Sequence, residues 1–454
     1  MATLAGSVPG SSVVRIEKLT GGGRGLSRVD GLVWLVEGAV PGDRVRATPV
    51  RRRSTLVEAR TLELLEPSYL RRKPPCPFQG ECGGCPWMVL EEPEQRSWKR
   101  RILEEALVRI GRFEEVRVDE TVPSPSPLAY RNKLEFTFGR GGRRGAVLGF
   151  HGTGSRSLVD VDRCLLQGDL ANQVLAEVRS YFTEGAGRGE PALGDPRRPL
   201  KLAIRRSGHS GRLLVGLLGA PGPFPTARPF AHQLRERVSE ISGVVRLLTL
   251  PGRRGGSRTV NLAGKPWLED TLGGTVFRLP ARVFFQVNPG AAELLVRLVE
   301  ELSGAGSGTR LLDLYGGVGV LGLALARRGA RALVCETDGQ AVACGRRASK
   351  GRKELDVRFA RSDVGAFLES LAHSRGDWDV VVANPPRSGF GREVARGILA
   401  LRPERIVLVS CDPATLARDA RRLADGGFVL RRVVPVDMFP QTPHVEVVCV
   451  LERG

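Results

Sequence analysis

No apolar run in this sequence approaches the 18 residues that a membrane-crossing helix needs, so no helical membrane span is expected. The opening stretch, MATLAGSVPGSS, lacks a charged segment followed by an apolar core, so no secretory signal is expected either. No internal repeat is visible, which excludes a solenoid. Lysine is scarce, at eight of the 69 basic residues. Arginine therefore dominates the excess that gives a net charge of +20 and a pI near 10.5. Part of that excess could be arginine inflated by a GC-rich genome, but its size is the footprint expected of a nucleic-acid binder. The eight cysteines are few and unevenly spaced, with Cys76, Cys82 and Cys85 inside ten residues. In a cytoplasmic chain, the location expected here, that pattern points to metal binding or catalysis rather than disulfides.

The 454 residues are too many for one ordinary domain, and a hydrophobic fraction of 41% is ample for real cores. Residues 1–67 read as a small β domain, a five-stranded OB-like barrel, because VVRI, GLVWLV and STLVEARTLELL alternate with glycine-rich turns. Residues 68–275 carry the cysteine group and then β-rich signals (KLEFTFG, GAVLGFH, LKLAIRRS, RLLVGLLG, VVRLLTL) that predict an antiparallel sheet. The segment GAGRGEPALGDPRRP, 185–199, reads as a flexible loop. Residues 91–112 predict an amphipathic helix with Ile102, Leu103, Ala106, Leu107 and Ile110 on one face, packed on the last domain. From 276 to 454, strands and helices alternate, which predicts an α/β domain with a Rossmann-like, doubly wound and mostly parallel sheet.

In such a fold, ligands lie at the carboxyl ends of the strands. The first strand ends in LLDLYGGVGVLGLALA, where Gly316, Gly317 and Gly319 turn the chain into a helix. This is neither G-x-G-x-x-G nor a phosphate loop, which needs a following lysine. The second strand ends at Glu336, placed to accept two ribose hydroxyls, and the third is followed by Asp363, placed to hold an adenine amine. Together these suit an adenosine cofactor without pyrophosphate, with S-adenosylmethionine as the candidate. The fourth strand ends in ANPPRSG; no aromatic follows the prolines to stack on a base, and no cysteine follows them. The fifth ends at Cys411, in IVLVSCDPATLARD, beside the start of a helix near Pro413, an environment expected to lower the thiol pKa. Glu446, in DMFPQTPHVEVVCVLE, sits between valines, as a base with a raised pKa would. A thiolate adding to uracil C6 makes C5 nucleophilic towards a methyl donor, and a base must then remove the C5 proton.

Taken together, CPFQGECGGC, YRNKLEF, LVDVDRC, FFQVN, LLDLYGGVGV, NPPRSG, LVSCDPATLARD and DMFPQTPHVE resemble, in order, the motifs of the RNA uracil-C5 methyltransferases. The resemblance implies Cys411 as nucleophile and Glu446 as the C5 base. It implies S-adenosylmethionine contacts at Gln286, Tyr315, Glu336, Asp363 and Asn384, and an N-terminal RNA-binding TRAM domain. Many family members carry Cys where Gly316 stands, Thr or Asn where Val320 stands, Asp where Asn384 stands and Asn where Asp412 stands. By spacing alone, Cys76, Cys82, Cys85 and Cys164 suit a structural zinc or an iron–sulfur cluster equally. The resemblance implies a 4Fe–4S cluster, as in the ribosomal members. The expected partner is RNA, with ribosomal RNA preferred over transfer RNA and an extruded uridine. RVRATPVRRR, YLRRK, YRNK and GRGGRRG are candidate phosphate tracks, and Phe284 and Phe285 candidate pocket walls. A monomer is expected.

Overall fold

The N-terminal strands are short and alternate inward and outward residues. Ser12–Arg15 (β1), Lys18–Leu19 (β2), Gly25–Val29 (β3), Leu32–Glu37 (β4), Arg44–Arg52 (β5) and Leu56–Glu66 (β6) pair in the order β1-β5-β6-β4-β3-β2. The sheet has six strands, not the expected five, because two-residue β2 adds an edge. It curls over a core of Val14, Ile16, Trp34, Val36, Val45 and Val57. Among the described residues no ladder joins β1 to β2, so a closed barrel is not formed by strand pairing. The protein is described here by a computed structural model of residues 10–139, 147–155, 157–183, 200–250, 256–372 and 378–454. The expected loop at 185–199 and all but the first residue of GRGGRRG lie outside these residues.

The predicted amphipathic helix runs Glu92–Arg109 (α1). Leu103 and Leu107 pack against Leu416, Ala417 and Ala420, while Ile102 packs with Leu19 and Trp87. Ile110 departs from the expected face: the helix ends before it, and it is 45% exposed.

The central region is built from Lys133–Gly139 (β7), Val147–His151 (β8), Leu158–Asp160 (β9), Asp169–Thr183 (α2), Lys201–Arg206 (β10), Leu213–Gly219 (β11), Ala227–Arg237 (α3), Ile241–Thr249 (β12) and Ser257–Gly264 (β13). Its seven strands run β13-β12-β11-β10-β7-β8-β9. The expectation of an antiparallel sheet fails at one pair: β11 and β12 are parallel, because α3 carries the chain back across the sheet between them. Helices α2 and α3 were not anticipated. Each buries one apolar face, Val174, Val178 and Phe182 in α2 and Phe230 and Leu234 in α3, against strands that read as continuous apolar runs. Trp267–Leu272 (β14) and Thr275–Pro280 (β15) form a hairpin whose turn, Gly273-Gly274, has positive φ at both residues, as a two-residue hairpin turn requires. The boundary drawn at 276 falls inside this hairpin.

The last region alternates as expected: Pro289–Ser303 (α4), Arg310–Leu314 (β16), Val320–Arg327 (α5), Arg331–Glu336 (β17), Gly339–Ser349 (α6), Val357–Arg361 (β18), Val364–Ala372 (α7), Val380–Ala383 (β19), Arg392–Ala400 (α8), Arg405–Ser410 (β20), Pro413–Ala424 (α9), Phe428–Val436 (β21) and Glu446–Arg453 (β22). The sheet order is β18-β17-β16-β19-β20-β22-β21, with β16 to β20 parallel and β22 antiparallel to both neighbours. The order reverses between β16 and β19, which opens a crevice at their carboxyl ends. One face is covered by α4, α5 and α6 and the other by α7, α8, α9 and α1. Among the described residues no helix is long and apolar enough to cross a membrane.

Candidate active site

The strand order sets the tips of β18, β17, β16, β19 and β20 side by side; four of the expected cofactor residues lie at these tips, and Gln286 lies in the segment before α4. Tyr315 leaves β16 with φ 58°, and the Gly316 N–H donates to the Cys335 carbonyl (3.1 Å). Gly317, φ 59°, faces open space, so its backbone is free to approach a ligand. Beneath the turn, Asp313 is fully buried and accepts from the Gly322 N–H (2.9 Å). Its other oxygen has no partner among the described residues, and burial raises its pKa to about 7. A Cβ at Gly316 would overlap Val334 and Asp313, which accounts for glycine in a position where cysteine would not fit this packing. Glu336 accepts from the Gly317 N–H (3.0 Å) and, with its other oxygen, from the Asp338 N–H (2.7 Å). Asp363 is exposed and accepts from the Gly365 N–H (2.9 Å). The Asn384 N–H donates to the Leu314 carbonyl (3.2 Å), tying β19 to β16. The Gln286 carbonyl accepts from the Asn132 side-chain amide (3.0 Å). Val320 is the first residue of α5.

Cys411 is half-buried between β20 and α9, where Asp412 caps the helix by accepting from the Thr415 N–H (2.8 Å). The expected lowering of its pKa is reversed in the free protein. Burial pushes the thiol up and the nearby Glu446 charge adds to it, outweighing Arg387, which hydrogen-bonds the thiol. Glu446 begins β22 opposite Val436 and is 5% exposed. Burial raises it to about 7, with Arg387 opposing. His444, half-buried, is lowered to about 4 by burial, then by Arg387 and Lys99.

The charge of Arg387 thus acts on the thiol, the carboxylate and the imidazole, a role the sequence reading missed. Its one signal was its place immediately after the two prolines at a strand end. Its turn is pinned by α9. Arg418 donates to the Ser388 carbonyl and Arg422 to the Phe390 carbonyl (2.7 Å each), while the Phe390 N–H donates to the buried Asp419 (2.9 Å). Of the two phenylalanines before Gln286, Phe285 packs on Phe277 in the core, and Phe284 is 71% exposed.

Cys76, Cys82, Cys85 and Cys164 are all free and half-buried, and they line one cavity of about 370 Å³. Burial raises Cys82, Cys85 and Cys164, the last to about 11, and neighbouring thiols add to each of these rises. Asn172 of α2 clasps Cys164, accepting from its N–H (2.9 Å) and donating to its carbonyl (3.1 Å). The Gly83 N–H donates to the His151 carbonyl (3.1 Å), fixing the cysteine loop to β8. Among the described residues no three His, Cys, Asp or Glu side chains form a set that could hold a single metal ion. Cys335, Cys344 and Cys449 are buried, as small apolar residues are.

The sequence model of the tRNA (uracil-5-)-methyltransferase family matches residues 271–454, from the hairpin through β22. An uncharacterised RNA methyltransferase of Gloeobacter violaceus is 36% identical, covering 97% of this chain and 96% of its own length. One of Halalkalibacterium halodurans is 32% identical with the same coverage. The chain belongs to the RNA uracil-C5 methyltransferase family. As a family member it is an RNA methyltransferase, and its partner is RNA. The similarity extends over nearly the whole chain. The crystal structure of the tRNA (uracil-54, C5)-methyltransferase of Pyrococcus abyssi, in complex with S-adenosyl-L-homocysteine, superposes with a TM-score of 0.75 at 25% identity, covering 97% of this chain and 99% of that one.

Proposed function

We propose that this chain methylates C5 of a uridine in RNA, with S-adenosylmethionine supplying the methyl group, Cys411 as nucleophile and Glu446 as base. The observation that carries the reading is the pairing of Ser410 with Val447 between β20 and β22, which brings Cys411 beside the buried Glu446. The Cys411 thiolate adds to C6, and the displaced electron pair delocalises towards O4. C5 then takes the methyl group and the sulfonium sulfur keeps the bonding pair. Glu446 removes the C5 proton, the C5–C6 double bond re-forms and the thiolate departs. A carboxylate held near neutrality is suited to accept that proton. Arg387 opposes, without overcoming, the burial that disfavours the thiolate. Tyr315, Glu336, Asp363 and Asn384 would hold the donor across the tips of β16 to β19, with Glu336 on its ribose, and Gln286 would reach it from the segment before α4. Phe284, exposed beside Gln286, would meet the extruded base.

The family resemblance, together with the four cysteines lining one cavity, supports assigning Cys76, Cys82, Cys85 and Cys164 to a 4Fe–4S cluster. Its chemistry there would be structural, joining the loop of residues 76–85 to the central sheet. The N-terminal sheet is proposed as the TRAM domain.

Large-subunit ribosomal RNA is the proposed target, on the combination of an N-terminal β domain with the cysteine set. Transfer RNA is the second reading, favoured by the near-complete overlap with the Pyrococcus abyssi enzyme. The test supplies methyl-tritiated S-adenosylmethionine with unmodified 23S ribosomal and transfer RNA transcripts, followed by nucleoside analysis. 5-Methyluridine in ribosomal RNA, absent with Cys411→Ala, is the expected result. Label in transfer RNA alone would keep the chemistry and replace the target. Methylation by Cys411→Ala would remove the nucleophile assignment.

A further inference from the structure

Residues 437–445 form a strap that joins β21 to the base Glu446 and carries His444. Its two ends are fixed by the β21–β22 ladder, but its middle is held almost wholly from outside the catalytic sheet. At its centre stands Gln441, fully buried and with φ 70°, a left-handed conformation that glutamine rarely adopts. Every polar atom of Gln441 is used. Its N–H donates to Oε1 of Gln95 (2.8 Å), and its Oε1 accepts from Nε2 of the same Gln95 (2.9 Å) and from Arg72 (3.0 Å). Its Nε2 donates to Glu92 (3.3 Å) and to the Pro127 carbonyl (3.2 Å), and its carbonyl accepts from the Trp87 N–H (3.1 Å).

The neighbouring anchors repeat the pattern. Lys99, buried in α1, pairs with Asp437 and donates to the Phe439 carbonyl (3.0 Å). The Tyr130 hydroxyl donates to the Pro440 carbonyl (3.1 Å), and Asn288 to the Met438 carbonyl (3.0 Å). A backbone held against its own preference, with all its polar atoms satisfied, marks a position that the surroundings dictate. The strap's shape is thus set by α1 and by the segment 72–90, the stretch that bears three of the four clustered cysteines.

We propose that Gln441, locked by Gln95, is a positioning residue that holds the strap so that Glu446 reaches the C5 proton of the methylated base. The inference rests on the reading of Glu446 as that base. A mispositioned base slows proton removal while leaving thiolate addition and methyl transfer in place. The covalent Cys411–RNA adduct then outlives the reaction cycle, which a general loss of stability would not produce.

The experiment uses full-length protein and whichever transcript the wild type methylates. It compares Gln441→Asn, which tolerates the left-handed backbone but cannot span the contacts, Gln95→Ala, and Glu446→Gln as the reference. Donor and RNA binding, turnover, and denaturation-resistant RNA–protein adduct are measured. The expected result is turnover reduced about 10–100-fold, unchanged binding, and adduct accumulating as in Glu446→Gln. If Gln441→Asn does not fold, Gln95→Ala carries the comparison, since it leaves residue 441 intact. Unchanged turnover, or turnover and adduct falling together, overturns the proposal. Absence of adduct in Glu446→Gln itself instead overturns the base assignment on which the proposal rests.

Discussion

Glu446 is ionised at a cost. Its ordinary value of 4.5 is raised to about 7 because burial strips water from the charge and Arg387 only partly compensates. Between those two values the folded protein binds a proton that the unfolded chain has released, so stability falls as pH rises. Stability is thus free of this cost below about pH 4.5, and the full cost is present above about pH 7. The gap corresponds to about 3 kcal/mol. Glu446→Gln removes it, so the melting temperature of the variant should gain on that of the wild type through this window and hold its lead above it. Parallel pH profiles of the two proteins would contradict the burial argument. The same penalty keeps the proposed base near the pH at which it would accept a proton. Residue types and spacing made Cys411 and Glu446 legible as candidates, since a thiol at a strand tip and an acid among valines both break local rules. The direction of the Cys411 shift was not legible. It depends on burial and on Glu446, which lies 35 positions away in sequence and close only in the fold.

At the scale of elements, α1 shows what periodicity finds and what it passes over. Its apolar positions predicted the face that meets α9, and Leu103 and Leu107 are on it. The same periodicity gave no sign that Gln95 and Lys99 would be fully buried as well. Long polar residues on a helix are normally solvated, and only the strap's polar groups make them interior. The alternating strands of the last region were legible for the opposite reason, because buried parallel strands are apolar throughout. Helices α2 and α3 were missed because their apolar residues lie close to strand-like runs. For the buried pair of Lys99 and Asp437, removal of one partner leaves an uncompensated charge. Lys99→Ala is expected to destabilise the fold by about 3–5 kcal/mol, whereas replacing both by apolar residues of similar volume should recover most of that loss. Denaturant unfolding of the single and double variants measures both terms. A double variant no better than the single would show that the strap needs the ion pair itself.

Across the whole molecule, the catalytic sheet is completed by chain that precedes the strand it meets, β21, by more than 300 residues. Val118 and Val122 bridge to Val433 and Val436 along β21, and the Asp119 N–H donates to the Val433 carbonyl (2.9 Å). Helix α1 covers the apolar side of α9. Lys18 reaches Glu105 (2.7 Å) and the Trp87 indole donates to the Gly23 carbonyl (3.2 Å), tying the N-terminal sheet into the same assembly. The edge of β21, which would otherwise offer unpaired backbone groups, is therefore occupied from within the chain. A practical limit on dissection follows. A fragment beginning at Lys265 would contain every proposed catalytic and donor-binding residue, yet it would expose a bare strand margin and an apolar helix flank. Light scattering should find it self-associating and prone to precipitate, and supplying residues 10–139 as a separate chain should restore solubility. Ribosomes releasing this protein face the same arithmetic in time: the segment that seals the margin emerges first and must wait, unspent, until the last strand arrives.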